Sequence, residues 1–342
     1  MQISILKEKH FFEQRVAATP ESIKFLRSIG LDVLIEKEAG LLSGFSNEDY
    51  QSFGAKIVDR SECFQSDICI CVRMPSKEDI NLFKKNIILI GMLNPYNNKN
   101  LFGDLVRNYV TTFCMELIPR ISRAQNMDVL SSQANLAGYR SVIDAAGQFT
   151  RAFPMMMTAA GRINPAKVMV LGVGVAGLQA IATAKRLGAV VYASDVRKSA
   201  AEQIESVGGR FIEVDGMDDF EDESGYAKPL TPEFIQKVND TVCQVASDAD
   251  VIITTARIFG RPAPITVPAS AVSNFKPGSV VVDMNADVGG NCELTKPGEV
   301  FITENGVTIV GTTNLPGELS TTASMLYSNN MVTFLSTLVS QE

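Results

Sequence analysis

The chain has 342 residues, of which 46% are hydrophobic and 20% charged, a composition typical of folded proteins and not of disordered ones. This length predicts roughly two domains. Lys and Arg number 31 against 38 Asp and Glu, which gives a net charge of -7, and no long basic run indicates a nucleic-acid partner.

Apolar runs and metal-ligating residue types exclude further classes of protein. The longest apolar run, residues 87–93, is far shorter than the roughly 20 residues that span a bilayer, and the N-terminus lacks the layout of a secretion signal. We therefore expect no membrane insertion by this chain. The cysteines include no Cys-x-x-Cys pair, and the alternation of Cys69 and Cys71 favours core packing over redox or metal roles. With His10 as the single histidine, we predict no metal site and no Ser-His-Asp triad.

The N-terminal third alternates predicted strands and helices. Thr19 and Pro20 predict the N-cap and first turn of a helix that Gly30 ends. Strands are predicted at residues 3–6, 31–36, 68–72 and 87–91. This pattern is typical of an α/β domain with a mostly parallel sheet. Farther on, apolar spacing predicts one long helix over residues 134–158 and a turn at residues 161–165.

A second alternation of strands and helices begins near Lys167. Its strands are predicted at residues 168–171, 190–193, 251–254, 280–283 and 307–310. A helix predicted over residues 319–339 is too short to form a domain, so we expect it to return to the first one. The predicted domains are a discontinuous N-terminal α/β domain, 1–135 plus 311–342, and a Rossmann domain, 136–310. The fold class is α/β, with two Rossmann-like doubly wound parallel-sheet domains and a cleft between them.

A glycine motif supplies the strongest local signal for a ligand. An apolar strand runs into Gly-x-Gly-x-x-Gly at Gly172, Gly174 and Gly177 and then into a helix that starts near Val175. The first glycine permits a tight turn, the second lets a pyrophosphate approach the backbone, and the third lets the helix pack on the strand. The motif predicts a dinucleotide site that includes all four residues, although a plain strand-to-helix turn and a methyltransferase share the pattern.

Asp195 closes the next predicted strand, at the separation where an acidic side chain meets the ribose hydroxyls of the adenosine. A carboxylate there would repel a 2'-phosphate, so the sequence favours NAD(H) over NADP(H). Arg197 lies two residues later and weakens that preference, because its charge could pair with the phosphate.

A family resemblance rests on motifs spread over essentially the whole chain. The longest is RISRAQNMDVLSSQANLAGYR at residues 120–140, and shorter ones are EQRVAATPE at 13–21, GYAK at 225–228 and GGNC at 289–292. Together they resemble domain I of the proton-translocating NAD(P) transhydrogenase alpha subunit, the NAD(H)-binding component. Alanine dehydrogenases are relatives within the same family.

The resemblance implies roles for individual residues. Arg120, Gln125, Asp128 and Ser131 match the loop that holds the nicotinamide end of NAD(H) and directs it toward a second nucleotide. The glycine motif and Asp195 match the pyrophosphate turn and the ribose ligand.

Tyr226 matches the tyrosine of a mobile loop that closes over the nucleotide. The acidic residues 215–225 before it predict a solvated loop, and an aromatic side chain at the end of that loop could act as a latch.

The implied activity is Si/Re-specific hydride transfer from NADH to NADP+. In the family NADP(H) is held by a separate partner domain, and a membrane domain couples the transfer to proton translocation. The resemblance further implies a homodimer that is active only with its partner. The implied location is cytoplasmic, peripheral on the inner membrane, or the matrix side in mitochondria.

An NAD-dependent alanine dehydrogenase is the main alternative. In that family an arginine clamps the substrate carboxylate, and a lysine and a histidine carry out acid-base chemistry. Arg15 matches the clamp, but Arg73 and Asn94 stand in the stretches where the lysine and histidine are expected. Arg15 is thus either a remnant of a carboxylate pocket or a buried ion-pair residue. A nucleotide-sensing module without catalysis is a third option, and it would not explain residues 120–131.

Overall fold

The computed structural model describes residues 1–214, 231–258 and 260–338. The predicted acidic loop and Tyr226 lie outside the described residues. The chain divides into two compact units, unit 1 with Met1–Gln133 and Pro316–Glu342, and unit 2 with Ala134–Leu315.

Unit 1 is built on a parallel six-stranded sheet. Its strands are β1 (Gln2–Ile5), β2 (Asp32–Glu36), β3 (Lys56–Val58), β4 (Ile68–Arg73), β5 (Ile88–Met92) and β6 (Thr111–Cys114). They lie in the order β3-β2-β1-β4-β5-β6, so the strand order reverses at β1. The helices between them are α1 (Pro20–Ser28), α2 (Asn47–Ser52), α3 (Arg60–Cys63), α4 (Lys77–Leu82) and α5 (Lys99–Arg107).

The central strand β4 shows why this sheet forms. Parallel sheets covered on both faces need strands that are apolar throughout, and β4 is buried along nearly its whole length. Ile68 and Ile70 face one core cluster, whereas Cys69 and Cys71 face the other. The prediction that these cysteines pack in the core is confirmed. Helix α1 starts at Pro20 after an extended Thr19, as the sequence predicts.

Helix α11 (Ser320–Leu338) closes unit 1 from the C-terminal end of the chain. Its buried polar side chains bind backbone atoms of the N-terminal segments: Tyr327 donates to the Cys71 carbonyl at 2.9 Å, and the Ser324 hydroxyl accepts the Val16 N–H at 2.9 Å. Such bonds fix the helix in register because a buried hydroxyl without a partner would be costly.

Unit 2 contains a second, larger sheet of the same type. Its strands are β9 (Lys167–Leu171), β10 (Val190–Ser194), β11 (Arg210–Phe211), β12 (Val251–Thr254), β13 (Val280–Asp283), β14 (Val300–Ile302) and β15 (Thr308–Val310). The order is β11-β10-β9-β12-β13-β15-β14, and only the β14–β15 pairing among these strands is antiparallel. Its helices are α7 (Val175–Arg186), α8 (Ala200–Ser206), α9 (Pro232–Ala246) and α10 (Ala269–Val272). The strand order reverses at β9. This confirms the predicted α/β class with Rossmann-like parallel sheets.

The long helix predicted over residues 134–158 is wrong at both ends. Helix α6 spans Val129–Gln148, and the chain then forms a hairpin of β7 (Met156–Thr158) and β8 (Gly161–Ile163). The turn predicted at 161–165 is therefore a strand, and the reversal falls at residues 159–160. Apolar spacing does not distinguish a helix from a short exposed strand rich in methionine.

Candidate functional site

The glycine turn of unit 2 follows β9, at the point where the strand order reverses. Gly172 has a φ of +89°, and a Cβ there would lie 2.9 Å from the Ala256 nitrogen. The Thr255 hydroxyl donates to the Gly172 carbonyl at 2.7 Å. The end of β12 therefore holds this turn, and only glycine fits the conformation and the space. Ligands of doubly wound sheets bind at such reversal points.

The other two glycines differ in what surrounds them. Gly174 is the N-cap of α7, and a Cβ there would meet nothing within 4 Å. A Cβ at Gly177 would lie 2.2 Å from the Gly172 carbonyl oxygen, so this glycine lets the helix pack on the turn. The backbone beside Gly174 is thus open, and the first amides of α7, starting at Val175, lack intrahelical acceptors. This arrangement fits a pyrophosphate.

Asp195 follows β10 and lies against the glycine turn. Its side chain is buried, with 8% exposed. Oδ2 accepts the Val173 N–H at 2.6 Å, and Oδ1 accepts the backbone N–H of Arg197 at 2.9 Å. The Arg197 guanidinium donates to both carboxylate oxygens, at 2.9 and 3.1 Å, and to the Val173 carbonyl at 2.8 Å. The predicted ribose ligand is therefore where the dinucleotide motif requires it, and it is already fully hydrogen-bonded.

The GGNC motif anchors the neighbouring loops of unit 2. Asp283, fully buried at the end of β13, accepts the N–H groups of Asn291 and Cys292 at 2.7 and 2.9 Å. The Asn291 amide in turn donates to the Ala256 carbonyl at 2.8 Å. A Cβ at Gly290 would lie 2.8 Å from Asp283 Oδ2, so a larger residue would displace the carboxylate. This network fixes Ala256, the residue that contacts Gly172.

The predicted nicotinamide loop lies in unit 1, where Arg120, Asp128 and Ser131 come together. Asp128 Oδ1 accepts the Ser131 N–H at 2.9 Å, and Oδ2 accepts the Ser131 hydroxyl at 2.6 Å. Asp128 immediately precedes α6, so this is the geometry of an N-cap. Arg120 approaches with its Nε 3.7 Å from Asp128 and its Nη2 3.4 Å from the Ser131 hydroxyl. Gln125 is exposed on the 3-10 helix Ser122–Met127.

Helix α11 anchors this loop through Asn330, a residue that the sequence analysis missed. Its amide donates to the Asn126 carbonyl at 2.7 Å, and its oxygen accepts the Ser132 hydroxyl at 2.8 Å. Asn126 and Asn330 are 204 positions apart in the chain. A lone asparagine in a helix carries no local sequence pattern that would reveal such a contact.

Arg15 lies in a buried ion cluster at the reversal point of unit 1. Glu13 holds its guanidinium with two bonds of 2.7 and 2.6 Å, and Gln133 accepts a third at 2.8 Å. Arg73 adds a second cation to Glu13 at 2.8 Å. Burial alone would raise the pKa of Glu13, but the attraction of Arg15 and Arg73 outweighs it and lowers that pKa to about 2. The interpretation of Arg15 as a buried ion-pair residue therefore fits.

Glu8 joins this cluster from the segment after β1. It accepts the N–H groups of Val72 and Arg73 at the end of β4, at 2.6 and 3.2 Å. Burial, with repulsion from Glu13 added, raises the pKa of Glu8 to about 8. Asn94, at the position where an alanine dehydrogenase would carry its histidine, is exposed and has left-handed backbone at φ 48°.

Within the described ranges, no group of three or more His, Cys, Asp or Glu side chains could hold a metal ion. In the same ranges no helix is long and apolar enough to cross a membrane.

A doubly wound sheet with this glycine turn, and an acidic residue closing the next strand, defines a nucleotide-binding protein of the Rossmann-like class. Family models narrow that class. The alanine dehydrogenase/PNT N-terminal domain matches residues 4–137, and the alanine dehydrogenase/PNT C-terminal domain matches residues 141–342. The chain belongs to the alanine dehydrogenase/PNT family, a family of oxidoreductases.

Individual relatives refine the comparison. The chain is 41% identical to NAD(P) transhydrogenase subunit alpha of Haemophilus influenzae, over 100% of this chain and 67% of that protein. The separate polypeptide that forms the first portion of the same subunit in Rhodospirillum rubrum is 45% identical, over 100% and 91% of the two chains. Alanine dehydrogenase 1 of Staphylococcus aureus is 29% identical, over 98% and 87%.

A solved structure agrees with these relatives. The crystal structure of transhydrogenase from Sinorhizobium meliloti superimposes with a TM-score of 0.90 at 44% identity, covering 99% of this chain and 94% of that one. The resemblance to transhydrogenase alpha subunits is confirmed.

Proposed function

We propose that this chain is the NAD(H)-binding subunit of a proton-translocating NAD(P) transhydrogenase. The observation that carries the proposal is the glycine turn of unit 2, with open space at Gly174 and Asp195 beside it, in a chain whose relatives at 41% and 45% identity are transhydrogenase alpha subunits. When bound, NADH supplies a hydride from C4 of its nicotinamide ring.

The residues of the chain hold and orient the nucleotide. The backbone at Gly174 and Val175 receives the pyrophosphate, and Asp195 receives the adenosine ribose. Arg120, Gln125, Asp128 and Ser131 hold the nicotinamide end. Tyr226, on a segment that the structure does not describe, closes over the site.

Hydride transfer between two nicotinamides needs no proton donor at the reacting carbons, so positioning and exclusion of water supply the catalysis. The rival activity, oxidation of an amino acid, needs an acid-base group and a cation open to a carboxylate. Here Arg15 is 2% exposed and bound bidentately by Glu13, and Arg73 also binds Glu13. These contacts favour the transhydrogenase over the alanine dehydrogenase.

The activity requires further chains. A partner domain holds NADP(H) and accepts the hydride, and a membrane domain couples the transfer to proton passage. We propose that the chain acts as a homodimer in the cytoplasm, peripheral on the cytoplasmic face of the inner membrane, or on the matrix side if mitochondrial.

The proposal is tested by following oxidation of NADH in the presence of an optically distinct NADP+ analogue, with and without added NADP(H)-binding domain. A parallel reaction contains NADH, pyruvate and ammonium. We expect reduction of the analogue only when the partner domain is present, and no reaction with pyruvate. Consumption of NADH by pyruvate and ammonium without a partner would instead establish the alanine dehydrogenase.

A further inference from the structure

Every acceptor position of the Asp195 carboxylate is occupied in this structure. A carboxylate offers about four lone-pair positions. Two are filled by backbone N–H groups, those of Val173 and Arg197, and two by the Arg197 side chain, Nε on Oδ1 and Nη2 on Oδ2. The ribose of an adenosine brings two hydroxyl donors, and these need acceptor positions that the protein itself now uses.

The four donors differ in how readily they can leave. The Val173 N–H belongs to the turn between Gly172 and Gly174, and the Arg197 N–H belongs to the main chain, so neither can leave without rebuilding the site. The guanidinium is attached through rotatable bonds and can move alone. Two side-chain bonds of Arg197 would then be exchanged for two ribose hydroxyls.

We propose that Arg197 is a specificity-determining residue that holds Asp195 in place of the ribose diol and governs the choice between NADH and NADPH. The inference rests on the proposed function, because it takes the nucleotide to be a dinucleotide bound at the glycine turn. While Arg197 is paired, Asp195 does not present a bare negative charge. Once displaced, the guanidinium stays tethered two residues away, where it pairs with a 2'-phosphate.

Arg197 therefore has opposite effects on the two nucleotides. It competes with NADH for Asp195 and so weakens NADH binding. For NADPH it supplies a nearby cation that offsets the repulsion between Asp195 and the 2'-phosphate. A purely structural arginine would instead change the affinity for both nucleotides in the same direction.

The test substitutes Arg197→Met, which keeps the apolar stem and removes the donors. Dissociation constants for NADH and NADPH are measured by fluorescence titration of the chain without any partner domain. We expect NADH to bind about threefold to tenfold more tightly and NADPH about tenfold more weakly, in line with the strength of charge-assisted hydrogen bonds. Arg186→Met, at an exposed arginine near the end of α7, is the matched control and should change neither constant.

The outcome that overturns the proposal is a ratio of the two dissociation constants that stays unchanged, or a loss of NADH affinity as large as the loss of NADPH affinity. Should Arg197→Met fail to fold, Arg197→Gln is titrated in the same way and judged by the same ratio. Absence of NADH binding by the unmodified chain would refute the proposed function itself, whereas normal binding with an unchanged ratio would refute only the role of Arg197.

Discussion

Asp128 combines a structural contact with its proposed place beside the nicotinamide, and the two can be separated by substitution. Asp128→Ala removes both the N-cap of α6 and the charge near Arg120, whereas Asp128→Ser keeps a capping oxygen. We expect the alanine variant to lose about 1 kcal/mol of unfolding free energy and the serine variant only a few tenths. Urea denaturation followed by circular dichroism measures both.

Hydride transfer to the partner-bound nucleotide should fall in both Asp128 variants, because neither retains the carboxylate. Gln125→Ala serves as a companion, since Gln125 is exposed and its loss should lower transfer without changing stability. If Asp128→Ser restored transfer together with stability, Asp128 would act through the helix start alone.

Glu8 makes the stability of unit 1 depend on pH. Burial and the nearby Glu13 raise its folded-state pKa to about 8, above the ordinary value of 4.5. Between these values the folded chain binds more protons than the unfolded chain, so this group makes stability fall as pH rises from about 5 to 8. In Glu8→Gln we expect a flatter decline of the melting temperature over that interval.

A matched control for this substitution is Glu48→Gln, at an exposed carboxylate of unit 1. It should leave the pH profile unchanged. Glu13 acts in the opposite sense, since its pKa is lowered to about 2 by Arg15 and Arg73 against the effect of burial, and its contribution is lost only as pH falls toward that value. A Glu8→Gln profile parallel to that of the unmodified chain between pH 5 and 8 would contradict this role of Glu8.

At the scale of elements, the glycine turn and α7 predict a division of labour between two glycines. A Cβ at Gly177 meets the Gly172 carbonyl at 2.2 Å, so Gly177→Ala should cost about 1–3 kcal/mol of folding free energy. A Cβ at Gly174 meets nothing within 4 Å, and its extended backbone suits alanine. Gly174→Ala should therefore fold normally and bind NADH at least about tenfold more weakly, because the methyl group fills the pyrophosphate approach.

Thermal melts without nucleotide and NADH titrations of both variants check this pair. Equal losses of NADH affinity with equal losses of stability would mean that the open space at Gly174 has no part in binding.

Strands can be predicted from the sequence more reliably than helix ends or long-range anchors. Buried parallel strands such as β12 and β13 are continuous apolar runs, and the observed bounds of both match the predicted ones. The predicted start of α6 is five residues late, because Asp128 and Ser131 match ligand positions of the family although their spacing is also that of an N-cap. The glycine turn is a local pattern and is predictable, whereas Asn330 and Gln133 act across long separations in the chain.

At the scale of the whole molecule, two similar sheets are used differently. In unit 2 the reversal point carries a glycine turn with open space at Gly174. In unit 1 the corresponding point after β1 is filled by the cluster of Glu8, Glu13, Arg15 and Arg73. The reversal point of unit 2 is therefore suited to a nucleotide, and that of unit 1 is stabilised by internal ion pairs. The domain boundaries at 135/136 and 310/311 stay a prediction about independently folding parts.

Isotope transfer tests the central claim most directly. NADH labelled with deuterium at the transferred C4 position is mixed with this chain, the NADP(H)-binding partner domain and NADP+ in ordinary water, and the product NADPH is analysed by mass spectrometry. The account predicts that the deuterium appears in NADPH without dilution by solvent hydrogen, because the hydride passes directly between the two rings. Unlabelled NADPH, or label released to water, would contradict direct transfer by this protein.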